Sequence, residues 1–177
     1  MGFLNKSLST TMKGIQQISK TALIGIILLG VILAAVACSG QEARQPVKAT
    51  WIKPQVVGDA VSFPVSEVNN DSIIHFNVPV AVGSEMAFMA YDLDGKLSVR
   101  ANICPPCRSI GFSLSKDTLV CDTCGTTFKA GTGEGISGAC VGYPKAAVAY
   151  EVNDGKILMR GSDLLAAYRN TLTPGLP

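Results

Sequence analysis

This 177-residue chain contains a single histidine, which excludes any metal site that needs two histidine ligands. His75 is the only histidine, beside 15 Lys and Arg, 13 Asp and Glu and six cysteines. A Rieske centre, which places two histidines on one iron, is therefore excluded. Ile74 and Phe76 flank His75 in a strand-like pattern, so we predict a structural histidine rather than a metal ligand. The sequence also lacks a Walker loop, an HExxH helix, a Ser-His-Asp set and paired carboxylates, so nothing supports a nucleotide-dependent enzyme or a hydrolase.

Acidic residues are absent from the first 40 positions, where the only charges are Lys6, Lys13 and Lys20. Removing these three from the 15 basic residues leaves 12 against 13 acids, so the rest of the chain has a formal charge of −1. Nucleic-acid binding needs clustered positive charge that replaces phosphate counterions. We therefore expect no nucleic-acid partner and no nucleotide.

The lysines precede an uncharged run of 17 residues, 21–37, that reads TALIGIILLGVILAAVA. This pattern predicts a secretory signal or signal anchor, with the N-terminus in the cytoplasm and the body of the protein exported. A helix of this length measures about 25 Å against about 30 Å of hydrocarbon, so cleavage and spanning both fit. The sequence around Cys38, Ala-Val-Ala-Cys-Ser, resembles a lipoprotein box, although Ala35 stands where Leu is usual. We predict that residues 1–38 are a signal anchor or a lipoprotein signal with Cys38 lipidated, and that the protein lies at the cell membrane.

The rest of the chain divides into a polar tether, 39–50, and an exported cysteine-rich domain, 51–177. Strand-like patterns occupy residues 61–65 and 72–78. Asp94-Gly95 and Asn153-Asp154-Gly155 predict hairpins over 86–100 and 147–160, because these residues tolerate the positive φ of a tight turn. One helix is expected, capped by Ser162-Asp163 and ended by Thr173-Pro174-Gly175. The predicted fold is a small, mostly antiparallel β domain with metal-binding loops and one short C-terminal helix, preceded by the N-terminal signal or transmembrane helix.

Four cysteines form two C-x2-C pairs, Cys104 with Cys107 and Cys121 with Cys124. Two such turns supply four sulfur ligands for one metal centre. Structural zinc is the commonest use of this spacing, and an iron–sulfur cluster uses the same donors. Disulfides are usual outside the cytoplasm, but the five cysteines after Cys38 are an odd number. A thioredoxin-like pair would need a βαβ context, which is missing.

Details of the two turns refine this interpretation. Pro105 and Pro106 should stiffen the first turn, and Gly125 should let backbone amides face the sulfurs of the second. Arg108 is a candidate for damping the negative charge of the site, or a solvated loop residue. Trp51 and Phe128 are expected to pack in the core rather than to gate electrons.

Beyond the spacing, the chain resembles the DUF2318 family of membrane iron–sulfur proteins, similar to the FtrD component of bacterial iron-uptake systems. The resemblance covers residues 58–168 and rests on Asp94-Gly95-Lys96, both cysteine pairs, Leu119-Val120, Gly125-x2-Phe128, Gly138-Ala139-Cys140-x3-Pro144 and the stretch from Tyr150 to Leu164. It implies an extracytoplasmic iron–sulfur domain that moves electrons, with membrane redox or metal-transport proteins as partners. The chain departs from the family in Ile110-Gly111-Phe112, in the residues around Cys140 and in having a single apolar segment, which argues against a permease role.

Cys140 is a fifth candidate ligand, and its role stays open between a ligand, a redox-linked disulfide partner and a buried spare thiol. The glycines around it are expected to form a flexible loop over the centre. The leading hypothesis is a membrane-anchored iron–sulfur protein that transfers electrons and converts no substrate, linked to iron or metal uptake. The alternative is a zinc-stabilised β domain that serves as a binding or assembly module.

Overall fold

The computed structural model describes residues 45–81 and 84–175, and their fold is mostly β. In spatial order, the central sheet contains β2 (Thr50–Ile52), β5 (Ile73–Ala81), β6 (Ser84–Leu93) and β7 (Lys96–Ala101). The second sheet contains β12 (Glu151–Asn153), β13 (Lys156–Arg160), β4 (Ala60–Pro64) and β3 (Gln55–Val57). The third contains β1 (Val47–Lys48), β8 (Phe112–Ser115), β9 (Thr118–Cys121), β10 (Thr127–Lys129) and β11 (Gly135–Ser137). Only β2 and β5 pair in parallel among these strands, so the predicted mostly antiparallel fold is confirmed.

The predicted leader, 1–38, and Cys38 lie outside the described residues. Within the part that is described, no helix is both long and apolar enough to cross a membrane. The sheets begin at Val47, which pairs with Leu114, and at Thr50, which pairs with Ile74. Residues 47, 48 and 50, which belong to the segment expected to be a polar tether, are thus part of the sheets.

Both predicted hairpins are present. β6 and β7 are joined by Asp94 at φ 53° and Gly95 at φ 83°, and β12 and β13 by Asp154 at φ 48° and Gly155 at φ 71°. Two consecutive residues with positive φ match the right-handed twist of antiparallel strands.

The described part of the chain contains two helices, where one was expected after the leader. The missed helix, α1 (Val65–Asp71), follows Pro64 and has seven residues, too few to show an apolar period. The predicted C-terminal helix, α2 (Gly161–Leu172), is confirmed, but its N-cap is Arg160 rather than the expected Ser162-Asp163. Asp163 instead lies in the first turn and accepts a hydrogen bond of 2.9 Å from Arg160 Nε.

The central sheet is buried on both faces, which places one core on each side of it. In β6, Phe88 and Ala90 belong to a core shared with the second sheet and α2. Met89 and Tyr91 point the other way, into a core that includes Cys104, Cys121 and Cys140. Alternate residues of a strand face opposite sides, so the continuous apolar sequence of β6 serves two cores. Cys104, Cys121 and Cys140 thus pack against one face of the central sheet.

Candidate metal centre

The two C-x2-C pairs lie on turns that close in the same way. The amide of Cys104 donates to the carbonyl of Ser109 at 2.8 Å, and the amide of Cys121 donates to the carbonyl of Thr126 at 2.9 Å. In each turn the backbone amide of the first cysteine thus donates a hydrogen bond to the carbonyl of the residue five positions later. The Thr123 hydroxyl donates to the Ser109 hydroxyl at 2.9 Å, which ties one turn to the other.

These turns bring four sulfurs together. The Sγ atoms of Cys104, Cys107, Cys121 and Cys124 all lie within 4.8 Å of one another. Across the two turns, Cys107 Sγ is 3.8 Å from Cys121 Sγ, and Cys104 Sγ is 4.0 Å from Cys124 Sγ. The structure therefore brings together the four cysteines that the sequence predicted as ligands, although they belong to two separate turns.

Two of the six sulfur–sulfur distances fit a single tetrahedral ion. A metal–sulfur bond of about 2.3 Å in a tetrahedron separates neighbouring sulfurs by about 3.8 Å. The two cross-turn distances, 3.8 and 4.0 Å, agree with this value. Four thiolates are also a donor set suited to zinc and to iron.

Cys140, the fifth candidate, lies at the edge of this group. Its Sγ is 3.7 Å from Cys124 Sγ, and its side chain is buried. Its amide donates to the Thr126 hydroxyl at 3.2 Å, and that hydroxyl is also 3.2 Å from Cys124 Sγ. Thr126 therefore connects the Cys140 loop to the second cysteine turn.

Some of the glycines around Cys140, among them Gly135 and Gly138, lie where a side chain would collide with its neighbours. Gly135 opens β11, and a Cβ at this position would lie 2.4 Å from the Val141 carbonyl oxygen. Gly138 has φ 113°, and a Cβ there would lie 2.6 Å from Thr126 Oγ1. The chain can pass this close to the second turn only because these positions lack side chains.

The thiols differ in how readily they ionise. Desolvation raises the pKa of Cys104, and sulfur contacts with Cys140 and Cys107 raise it further. Desolvation likewise raises the pKa of Cys121. At Cys124, the most exposed of the four, desolvation is outweighed by the hydroxyl and amide of Thr126, which lower its pKa to about 6. Metal binding must therefore displace protons from the buried thiols.

Backbone amides face a sulfur in the second turn, as expected, and they belong to Thr123 and Cys124. The amides of Cys124 and Thr123, with the Ser109 hydroxyl, stabilise the charged form of Cys121 and lower its pKa against desolvation. The Gly125 amide bonds the carbonyl of Cys121 at 2.9 Å instead. The positive φ of Gly125, 68°, gives the turn its shape.

Lys145 is a buried lysine beside the cysteines that the sequence did not indicate. Lys145 is fully buried, and its Nζ donates to the carbonyl of Ile103, next to Cys104, at 2.7 Å. Nζ also lies 4.5 Å from the centre of the Phe128 ring and 5.4 Å from that of Phe112. Arg108, which the sequence left open between a role at the site and a solvated loop position, is exposed. Nothing in the sequence near Lys145 indicates that this residue is buried.

Arg100 is a second buried cation that the sequence did not single out. Its guanidinium donates to the carbonyls of Ala130, Gly131, Thr132 and Lys145 at 2.6–3.2 Å, and to the Tyr91 hydroxyl at 2.9 Å. Arg100 therefore fixes the backbone on which Lys145 is carried.

His75, Phe128 and Trp51 lie outside the sulfur group. His75 is buried, as expected of a structural residue, but within the described residues its Nε2 has no hydrogen-bond partner. Desolvation lowers its pKa to about 4, against the opposing effects of Asp122 and the Phe112 backbone. Phe128 is buried as predicted. The prediction that Trp51 packs in the core is wrong, because this residue of β2 is 47% exposed. Its ring contacts the His75 ring edge-on, with 5.0 Å between the ring centres.

The chain is similar to one protein family and to chains of known structure. A search of curated proteins found no match. Among solved structures, one chain in the complex of reduced oxygenase and oxidized ferredoxin of carbazole 1,9a-dioxygenase is similar, with 19% identity, a TM-score of 0.48, and coverage of 59% of this chain and 95% of that chain. Sphingomonas yanoikuyae B1 ferredoxin is similar with 21% identity, a TM-score of 0.39, and coverage of 48% and 83%. The family described as membrane iron-sulfur containing protein FtrD-like matches residues 68–170, a segment that contains all five cysteines of the domain. The chain therefore belongs to the FtrD-like family of membrane iron–sulfur proteins.

Proposed function

We propose that the domain holds one iron ion on Cys104, Cys107, Cys121 and Cys124 and carries single electrons. The observation that carries this proposal is the compact sulfur group, with all four Sγ atoms within 4.8 Å of one another, in a chain of an iron–sulfur family. A cluster with bridging sulfides holds its terminal thiolates farther apart than a single ion does, so the sulfur spacing favours one iron. Iron bound there would supply a one-electron couple between its ferric and ferrous states.

The protein's own groups suit electron transfer without bond-making on a substrate. The two turns, closed by matched hydrogen bonds, hold the sulfurs in place, so that little rearrangement accompanies a change of charge. The amides of Thr123 and Cys124 stabilise negative charge on sulfur. Cys124, the exposed ligand, gives the centre an edge at the surface where a redox partner can approach.

The setting of this activity follows from the predicted leader. We propose that residues 1–38 attach the domain to the membrane on its extracytoplasmic side, by a helix or through lipid on Cys38. Attachment raises the effective concentration of the domain near membrane partners. Redox or metal-transport proteins, including those of iron uptake, are the partners that we propose.

A zinc-stabilised binding module is the second candidate function. The same tetrahedral spacing that fits ferric or ferrous iron also fits zinc, which binds thiolate at about 2.3 Å. In this case the domain would use the metal to hold its two cysteine turns together and would have no redox role.

A redox titration distinguishes the two functions. The full chain is purified in detergent without oxygen and titrated while visible absorption and EPR spectra are recorded. Electron transfer predicts a reversible one-electron transition that disappears in Cys104→Ser. Stoichiometric zinc with no iron and no redox-active absorption would rule out the electron-transfer proposal and support the zinc module.

A further inference from the structure

Lys145, the cation beside the cysteines, has no acidic partner among the residues that the structure describes. Lysine is almost never fully buried unless it is paired, because removing its charge from water is costly. Lys145 is fully buried, yet the ion pairs found in residues 45–81 and 84–175 involve Lys48, Lys129 and Arg160 and not Lys145. Its one direct polar contact in that part of the chain is with the carbonyl of Ile103.

The groups that present negative charge to Lys145 are the cysteines, which become anionic when they bind metal. Burial lowers the pKa of Lys145 to about 8, while the charges of Cys104, Cys121, Cys140 and Cys107 act in the opposite direction and favour its protonated form. Four thiolates around a divalent ion carry a net charge of −2, and around a trivalent ion −1. A bound metal therefore leaves an anionic centre beside the buried ammonium group.

Lys145 is also held in place along its whole length. Its amide donates to the Gly133 carbonyl at 2.8 Å, and its carbonyl accepts from Arg100 at 2.8 Å. Its Nζ is fixed between the carbonyl of Ile103 and the ring of Phe128. Such a charge is positioned before the metal arrives and needs no rearrangement when the charge of the centre changes.

We propose that Lys145 is the positioning residue whose fixed positive charge strengthens metal binding at the cysteine centre and raises its reduction potential. The first effect follows because an anionic tetrathiolate is stabilised by a nearby cation in surroundings that screen weakly. The second follows because the reduced centre carries one more negative charge than the oxidised centre, and so gains more from that cation. The effect on potential rests on the proposed electron-transfer function, whereas the effect on affinity does not.

The test uses two neutral substitutions in the full chain. Lys145→Met removes both the charge and the hydrogen bond to Ile103, and Lys145→Gln removes the charge but keeps a donor. Lys129→Met is the matched control, because it removes the same charge from an exposed lysine paired with Glu134. Zinc affinity is measured by competition with a chromophoric chelator, and the potential of the iron form by redox titration.

Both Lys145 variants are expected to bind zinc at least tenfold more weakly than the wild type, with Lys129→Met within threefold. In the iron form, the ratio of oxidised to reduced protein at a fixed potential should rise at least tenfold, which is about 59 mV for one electron. Lys145→Arg keeps the positive charge and should therefore retain most of the wild-type zinc affinity and reduction potential. Unchanged zinc affinity in folded Lys145→Gln would overturn the proposal, and so would failure of both neutral variants to fold with zinc, because the charge would then serve the fold. If the chain proves redox-inactive, zinc affinity still decides the role of Lys145.

Discussion

Protonation of His75 is expected to destabilise the domain as the pH falls, by an amount that its burial sets. The folded state lowers the pKa of this imidazole from its ordinary 6.5 to about 4, because desolvation outweighs the attraction of Asp122. The pKa is depressed, so the unfolded chain binds the proton first. The stabilising effect is therefore complete above pH 6.5 and is lost as the pH falls towards 4. A tenfold change in proton affinity corresponds to about 1.4 kcal/mol, so the full effect is about 3 kcal/mol.

The assay is urea unfolding of the zinc-loaded full chain, followed by circular dichroism at several pH values between 7 and 4. The cysteine ligands also release metal in acid, so the informative quantity is the difference between wild type and variant. His75→Phe and His75→Gln both remove the titrating group. His75→Phe removes the unpaired Nε2 but also the hydrogen bond to the Phe112 backbone, so its stability at pH 7 should stay within about 1 kcal/mol of the wild type.

The expected result is that the wild type loses about 3 kcal/mol more than either variant between pH 6.5 and 4. A parallel pH dependence in wild type and both variants would refute the reasoning. It would mean that solvent reaches His75 well enough to remove the desolvation that lowers its pKa.

Three further substitutions test the site. Cys140→Ser should retain metal at wild-type stoichiometry, because Cys140 lies outside the group of four mutually close sulfurs; loss of metal on analysis would make it a ligand. Gly138→Ala should lower the free energy of unfolding by about 2 kcal/mol and weaken zinc binding, because its Cβ would lie 2.8 Å from the Thr126 backbone at φ 113°. Gly142→Ala, which has open space around it, is the control and should change little. Arg100→Met should cost at least about 3 kcal/mol in urea unfolding, because it leaves several buried carbonyls without a donor, and a loss below 1 kcal/mol would contradict the assigned role.

The features of the fold that depend on local sequence were predictable. The Asp-Gly turns of both hairpins require positive φ, and the end of α2 coincides with the expected breaker residues. In contrast, α1 has seven residues, with Val68 as its fully buried residue, and so has no readable period. Trp51 is half-exposed because β2 lies at the edge of its sheet, and sheet order is a property of the whole chain.

In the candidate site, too, the features set by local sequence were predictable and those set by tertiary packing were not. The spacing of the cysteines identified four sulfurs that the structure brings within 4.8 Å of one another. Lys145 and Arg100 were not identified, because a lysine or an arginine is normally exposed and only tertiary packing shows that these two are buried. The arrangement of Gly138 against Thr126 likewise joins residues from two loops, which no local pattern reveals.

Metal and sulfide analysis decides whether the four thiolates hold a single iron ion. The full chain, purified in detergent without oxygen, is assayed for iron, zinc and acid-labile sulfide per polypeptide. The sulfur spacing predicts one iron per chain and no acid-labile sulfide, with iron lost in Cys121→Ser. Two or more irons with matching sulfide would contradict the single-ion geometry, and one zinc without iron would contradict electron transfer.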